Sequence, residues 1–136
     1  MNWMVIAAAL GSGIVGGFTD WLFMGLLFHD AYDRFPEVWR PGIRAGTERS
    51  AVIWSSVLGI VMSAGVVALC FVTGARGIAM CLEIAALAWL AGPFVVVVVN
   101  GFFIKLDNKI TIAHCLGWLA RMLIAGAAAG LVLPAM

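Results

Sequence analysis

The sequence predicts an all-α, integral membrane four-helix bundle with a short interfacial segment between helices 1 and 2. Three observations predict it. Of 136 residues, 64% are hydrophobic and only 11% charged, with a mean hydropathy of +1.09, which is too little polar surface to cover a water-soluble domain. The apolar residues fall into four runs, each as long as the roughly 20 residues that a bilayer crossing needs. Those runs are apolar on every face, whereas strands of a membrane barrel alternate apolar and polar side chains.

The first run, 3–28, contains only small interruptions besides Thr19 and Asp20, and ends where His29 and Asp30 begin continuous polarity. It is read as a span and not as a secretory signal, because no basic segment precedes it and it is too long for a signal core. The second run is 51–72. The third, 78–104, contains the pentavaline Val95 to Val99, which would favour a strand in water. In lipid the helix prevails because it closes its own backbone hydrogen bonds. The fourth run is 110–133, and together the four nearly fill the length, leaving no room for a water-soluble catalytic domain. The chain is therefore read as one transmembrane unit over 1–136.

The joints set the orientation. Arg34, Arg40, Arg44, Arg49, Lys105 and Lys109 lie in the 29–50 loop or the 105–109 joint, whereas Arg76 alone marks the joint on the other side. The basic side is expected in the cytoplasm, which puts both termini outside it. Trp3, Trp54 and Tyr32 fall near span boundaries, where amphipathic rings sit at headgroup level. The stretch 35–41 sets aromatic and basic residues between Pro36 and Pro41, which suits an interfacial segment: either a lipid or partner contact, or a plain anchored connector.

Helical spacing puts Gly13, Gly16, Gly17 and Asp20 on one face of the first span, with Gly13 and Gly17 forming a GxxxG pair. Ser55, Gly59 and Ser63 make a small-residue stripe in the second span, and Gly126 with Gly130 make another GxxxG in the fourth. Such stripes let backbones approach closely, either within one bundle or between subunits.

Charges inside spans are more telling, since each costs about 3 kcal/mol at mid-membrane unless paired or hydrated. Counting residues from the span ends at ~1.5 Å each places Asp20 about 12 Å deep and Arg121 about 17 Å deep from the same side. Their opposite charges predict a pair. His114 lies two turns before Arg121 on the same face, and Asn100 approaches that leaflet from the third span, two turns after Pro93. Asp20, Asn100, His114 and Arg121 are thus expected to form a polar pocket. One reading makes it a site for a small solute or a proton, with His114 titrating near neutrality and Arg121 holding an anion; the other makes it a clamp that fixes helix register.

Other chemistries find little support. A formal charge of +1 offers no basic face for nucleic acid. Cys70, Cys81 and Cys115 form no CxxC pair and no zinc-type spacing with histidine, so neither metal nor cofactor is expected. Cys70 and Cys81 flank the outer joint and are read either as buried free thiols, the favoured reading, or as a pair that meets in an oxidising compartment. No acid, base and nucleophile constellation is visible, so the chain is not expected to be an enzyme.

The order of features resembles a set of small bacterial membrane proteins, the domain-of-unknown-function family seventeen-sixty-one. The resemblance rests on Asn2-Trp3, the glycines from Gly13 to Gly17, the aromatic stretch from Trp21 to Phe28, Trp89 to Gly92, Asn100 to Phe103, and His114 ahead of Gly126 to Gly130. Asp20-Trp21 stands where members more often carry an aromatic pair. The resemblance implies a four-span architecture in the bacterial cytoplasmic membrane but no reaction. The expected partners are the lipid bilayer, a second copy of the chain or another membrane subunit, with activity as an accessory or oligomeric component. The alternative is a small-solute or proton-linked transporter.

Overall fold

A computed structural model describes residues 3–38 and 48–133. Helix α1 (Trp3–Asp20) runs directly into a wider π-helical stretch, Trp21–Leu27. Two short 3₁₀ turns follow, His29–Asp33 and Pro36–Val38. Helix α2 spans Glu48–Val72, α3 spans Gly77–Trp89, a π-helical turn occupies Leu90–Phe94, α4 spans Val95–Phe103 and α5 spans Asn108–Val132.

These elements compose four helices long and apolar enough to cross a membrane: Trp3–Leu27, Arg49–Val72, Gly77–Phe103 and Asn108–Val132. The all-α architecture, with a short segment between the first and second spans, is therefore observed. Trp39, Arg40 and Pro41 of the expected interfacial stretch lie outside the described residues, as does Asn2.

Each break in the helices has a local cause. The α2–α3 joint turns through Gly74 and Gly77, both with positive φ (73° and 69°), a conformation in which a Cβ would be strained. The Gly77 amide donates to the Leu133 carbonyl at 2.6 Å, tying this joint to the end of α5. Pro93 lacks an amide hydrogen, and the backbone accommodates it in the π-helical turn before α4. Asp107 caps α5, its carboxylate accepting from the Lys109 amide at 2.8 Å.

Helix α5 is the hub, with contacts to α1, α2, α3 and α4. Its glycines permit the approach. A Cβ on Gly126 would lie 2.7 Å from the Cys81 carbonyl oxygen, and one on Gly130 would lie 2.5 Å from the Ile78 Cα. A Cβ on Gly13 would lie 2.9 Å from the Ile60 Cα of α2. Gly126 and Gly130 thus pack α5 on α3, and Gly13 packs α1 on α2. These small-residue faces are consumed within the chain.

The apolar core is concentrated in the half that carries the Arg76 joint: Val66, Val67 and Cys70 of α2, Cys81 and Ala85 of α3, and Met122, Ala125 and Ala129 of α5. Cys70, Cys81 and Cys115 are free thiols, all buried. Helix α4, by contrast, buries no residue. Large apolar side chains cover the outside, with Phe102 79% and Phe103 85% exposed, an outer surface that hydrocarbon solvates and water would not.

Candidate functional site

The polar interior occupies the opposite half, beneath the 29–38 segment. Arg121 projects from α5 into the triangle between α1, α2 and α5, and only 1% of it is exposed. Its Nη2 donates to Asp20 Oδ2 at the end of α1, forming an ion pair across 101 residues of sequence. The Asp20 side chain remains 33% exposed. A charged hydrogen bond of this kind offsets the large desolvation of both groups.

Glycines make the seat for the guanidinium. A Cβ on Gly16 would lie 2.8 Å from Arg121 Cγ, and one on Gly59 would coincide with the guanidinium itself. A Cβ on Gly17 would lie 3.9 Å from Nη2. The Gly17 and Gly59 positions in the two small-residue stripes therefore accommodate a side chain as well as a backbone. Arg121 Nε and Nη1 and the Ser63 hydroxyl are buried and have no hydrogen-bond partner among the described residues. The hydroxyl of Thr19, beside Asp20, donates to the Gly16 carbonyl at 2.7 Å.

His114 lies two turns nearer the loop. Its Nε2 is hydrogen-bonded to the Tyr32 hydroxyl at 3.0 Å. Tyr32 is thus turned inward and half-buried, not set at the lipid interface as its position in the sequence predicts. Burial, and secondarily the Asp20 carboxylate, push the Tyr32 pKa up to about 12. Asp20 also approaches α5 at Gly117, where a Cβ would lie 3.7 Å from Oδ1. Asp20 accordingly stands between the arginine and the tyrosine–histidine pair.

Asn100 does not join them. It is exposed near the end of α4, a helix that follows the bundle without entering it. Gly101, beside it, faces Thr111 instead. The third span packs on α5 mainly through α3, and α4 makes no substantial contact with α1.

The 29–38 segment is fastened over this region. Arg34 donates to Asp107 at 2.5 Å, and Lys105 donates to Glu37 at 2.9 Å while lying 4.7 Å from the Phe35 ring centroid. The Lys109 amide, followed by the Arg34 guanidinium, holds the Asp107 carboxyl below the usual carboxylate range. The Lys105 ammonium does the same for Glu37.

Tyr32 and Arg34 are the site residues that sequence reasoning missed. Neither has a local signal, because their partners lie 82 and 73 residues away. Among the described residues, no group of three or more His, Cys, Asp or Glu side chains is placed to hold a metal ion.

Four helices of spanning length and composition, with the deep charges paired, define a small multi-pass membrane protein. No family model matches the chain, and no curated protein or solved structure matches it either. No family is therefore assigned, and what stands of that expectation is the four-helix architecture with four helices of spanning length and composition.

Proposed function

We propose that this protein works through the surfaces of its helices, as an oligomeric or accessory component of a bacterial cytoplasmic membrane, and not as an enzyme. The observation that carries this reading is the sealing of Arg121. Its guanidinium is 1% exposed and paired with Asp20, so the deepest charges in the bundle are engaged with each other. Two clefts beside α1 are apolar and open at the side of the bundle. One lies between α1 and α5, lined by Ala8, Gly11 and Ala128 among others, and one between α1 and α2. A surface of that kind takes another helix or a lipid.

The test is purification of the full chain in mild detergent, with mass analysis of the particle and of what accompanies it. A stable particle containing a second copy or a second membrane subunit is the expected result. A strictly monomeric particle without protein companions, across several mild detergents, would overturn the proposal.

A transport reading is favoured by one specific arrangement. Asp20, a third exposed, stands between Arg121 and the Tyr32–His114 pair. In that reading His114 and Asp20 exchange protons with the side bearing the loop. Proteoliposomes containing a pH-sensitive dye test it, since flux present in the natural chain and lost in His114→Ala would establish transport. Absence of flux leaves the charged pair as a clamp.

A further inference from the structure

The α1–α2 cleft opens between two helices that touch over only part of their length. The two helices touch where Gly13 meets Ile60, but one turn further on a Cβ at Gly17 would meet no atom of α2 within 4 Å. From that contact toward the 29–50 loop the helices leave a cleft of ≈ 570 Å³. Gly13, Gly17 and Trp21 line it from α1, and Ile60, Ser56 and Val52 from α2. Ser56 spends its hydroxyl on the Val52 carbonyl at 2.8 Å, so even the polar side chain of the cleft offers little to a polar guest. Trp21, 60% exposed, forms an aromatic edge.

The α2 stripe continues at Arg49, one helical turn before Val52. Arg49 is exposed at the start of the span and makes no ion pair among the described residues. The cleft is apolar along its lining, and helical spacing sets the Arg49 cation one turn beyond Val52, on the side of the 29–50 loop. That sequence of chemistries, apolar along its length and positive at one end, is complementary to one class of molecule.

We infer that the α1–α2 cleft binds an anionic phospholipid, its acyl chain lying along Gly13, Gly17, Ser56 and Ile60 and its phosphate on Arg49. The guanidinium forms paired hydrogen bonds with phosphate oxygens, which a zwitterionic headgroup balances with its own cation. The glycine floor lets the chain lie against the α1 backbone, where dispersion contact exceeds that available to a freely moving bulk lipid. This site adjoins the seat of Arg121, with Gly17 common to both, and it names the occupant of one of the two clefts on which the proposed surface role rests.

Native mass spectrometry of the full chain in mild detergent, supplied with equal phosphatidylglycerol and phosphatidylcholine, tests the assignment. The natural chain is expected to retain phosphatidylglycerol about fivefold better, the effect of one basic residue at an anionic surface. Arg49→Gln should bring that ratio near unity. Ser56→Phe, which fills the cleft from an exposed position, should reduce retention of both lipids. Equal retention by the natural chain, a preference that survives Arg49→Gln, or adducts indifferent to Ser56→Phe would each overturn the inference. So would efficient cross-linking between copies bearing Ser56→Cys in proteoliposomes, because a second chain would then occupy the cleft.

Discussion

Asp20 and Arg121 are unequal partners, and the inequality predicts how each responds to loss of the other. Arg121 is sealed, whereas Asp20 is a third exposed. Asp20→Ala leaves a buried cation and should lower stability by about 3 kcal/mol, the lower part of the range for a broken buried pair. Arg121→Met should cost less, since the remaining carboxylate reaches solvent and takes up a proton. The double variant should recover much of the loss, read as thermal midpoints in detergent. Tyr32 offers a second measurement, because it is the only tyrosine in the chain. An ultraviolet tyrosinate titration should give a midpoint near 12. Asp20→Asn should lower it only partly, because burial is the larger cause. Raised above its unfolded value, this group favours the fold fully below about pH 10 and loses that contribution as pH climbs toward 12. The ion pair was legible in the sequence because hydrocarbon leaves two opposite charges at like depth few alternatives. Tyr32 was not, since an aromatic ring at a span boundary serves an interface and an inward hydrogen bond equally well.

At the level of the helices, packing depends on missing side chains at particular places. Gly59→Ala would put a methyl group where the Arg121 guanidinium lies, and should destabilise the protein by about 1–3 kcal/mol as the arginine is displaced. Gly11→Ala is the matched control, since a Cβ there meets nothing within 4 Å; its thermal midpoint should stay unchanged or rise slightly. The 29–38 segment depends on charge instead. Asp107 and Glu37 are held below the ordinary carboxylate range, so their contributions are complete above about pH 4 and fade as pH falls through the lower folded values. Proteolysis or hydrogen exchange in 29–38 should therefore accelerate under acid, and Asp107→Asn should reproduce part of that loosening at neutral pH. Hydropathy alone located the four spans, because length and composition decide what enters a bilayer. It carried no information about the wide turn at Trp21–Leu27, which changes helical winding without changing polarity. Nor did it reveal that Asn100 stays outside, since depth in the membrane does not specify which neighbour a helix face meets.

The whole molecule divides into an apolar half below the Arg76 joint and a polar half beneath the 29–38 segment. For its orientation we propose that the side bearing the basic loop stays in the cytoplasm. Lys105→Cys should react with a membrane-impermeant thiol reagent only from the cytoplasm, and Arg76→Cys only from outside. Cys70, Cys81 and Cys115 are buried and give little background; the reverse pattern would invert the orientation. The hub position of α5 carries a further consequence for biosynthesis. A ribosome delivers the carboxylate of Asp20 to the membrane a hundred residues before its counter-ion is synthesised. Until α5 is made, that carboxylate has no guanidinium to pair with, so the first helix must enter the membrane without the ion pair that later holds it.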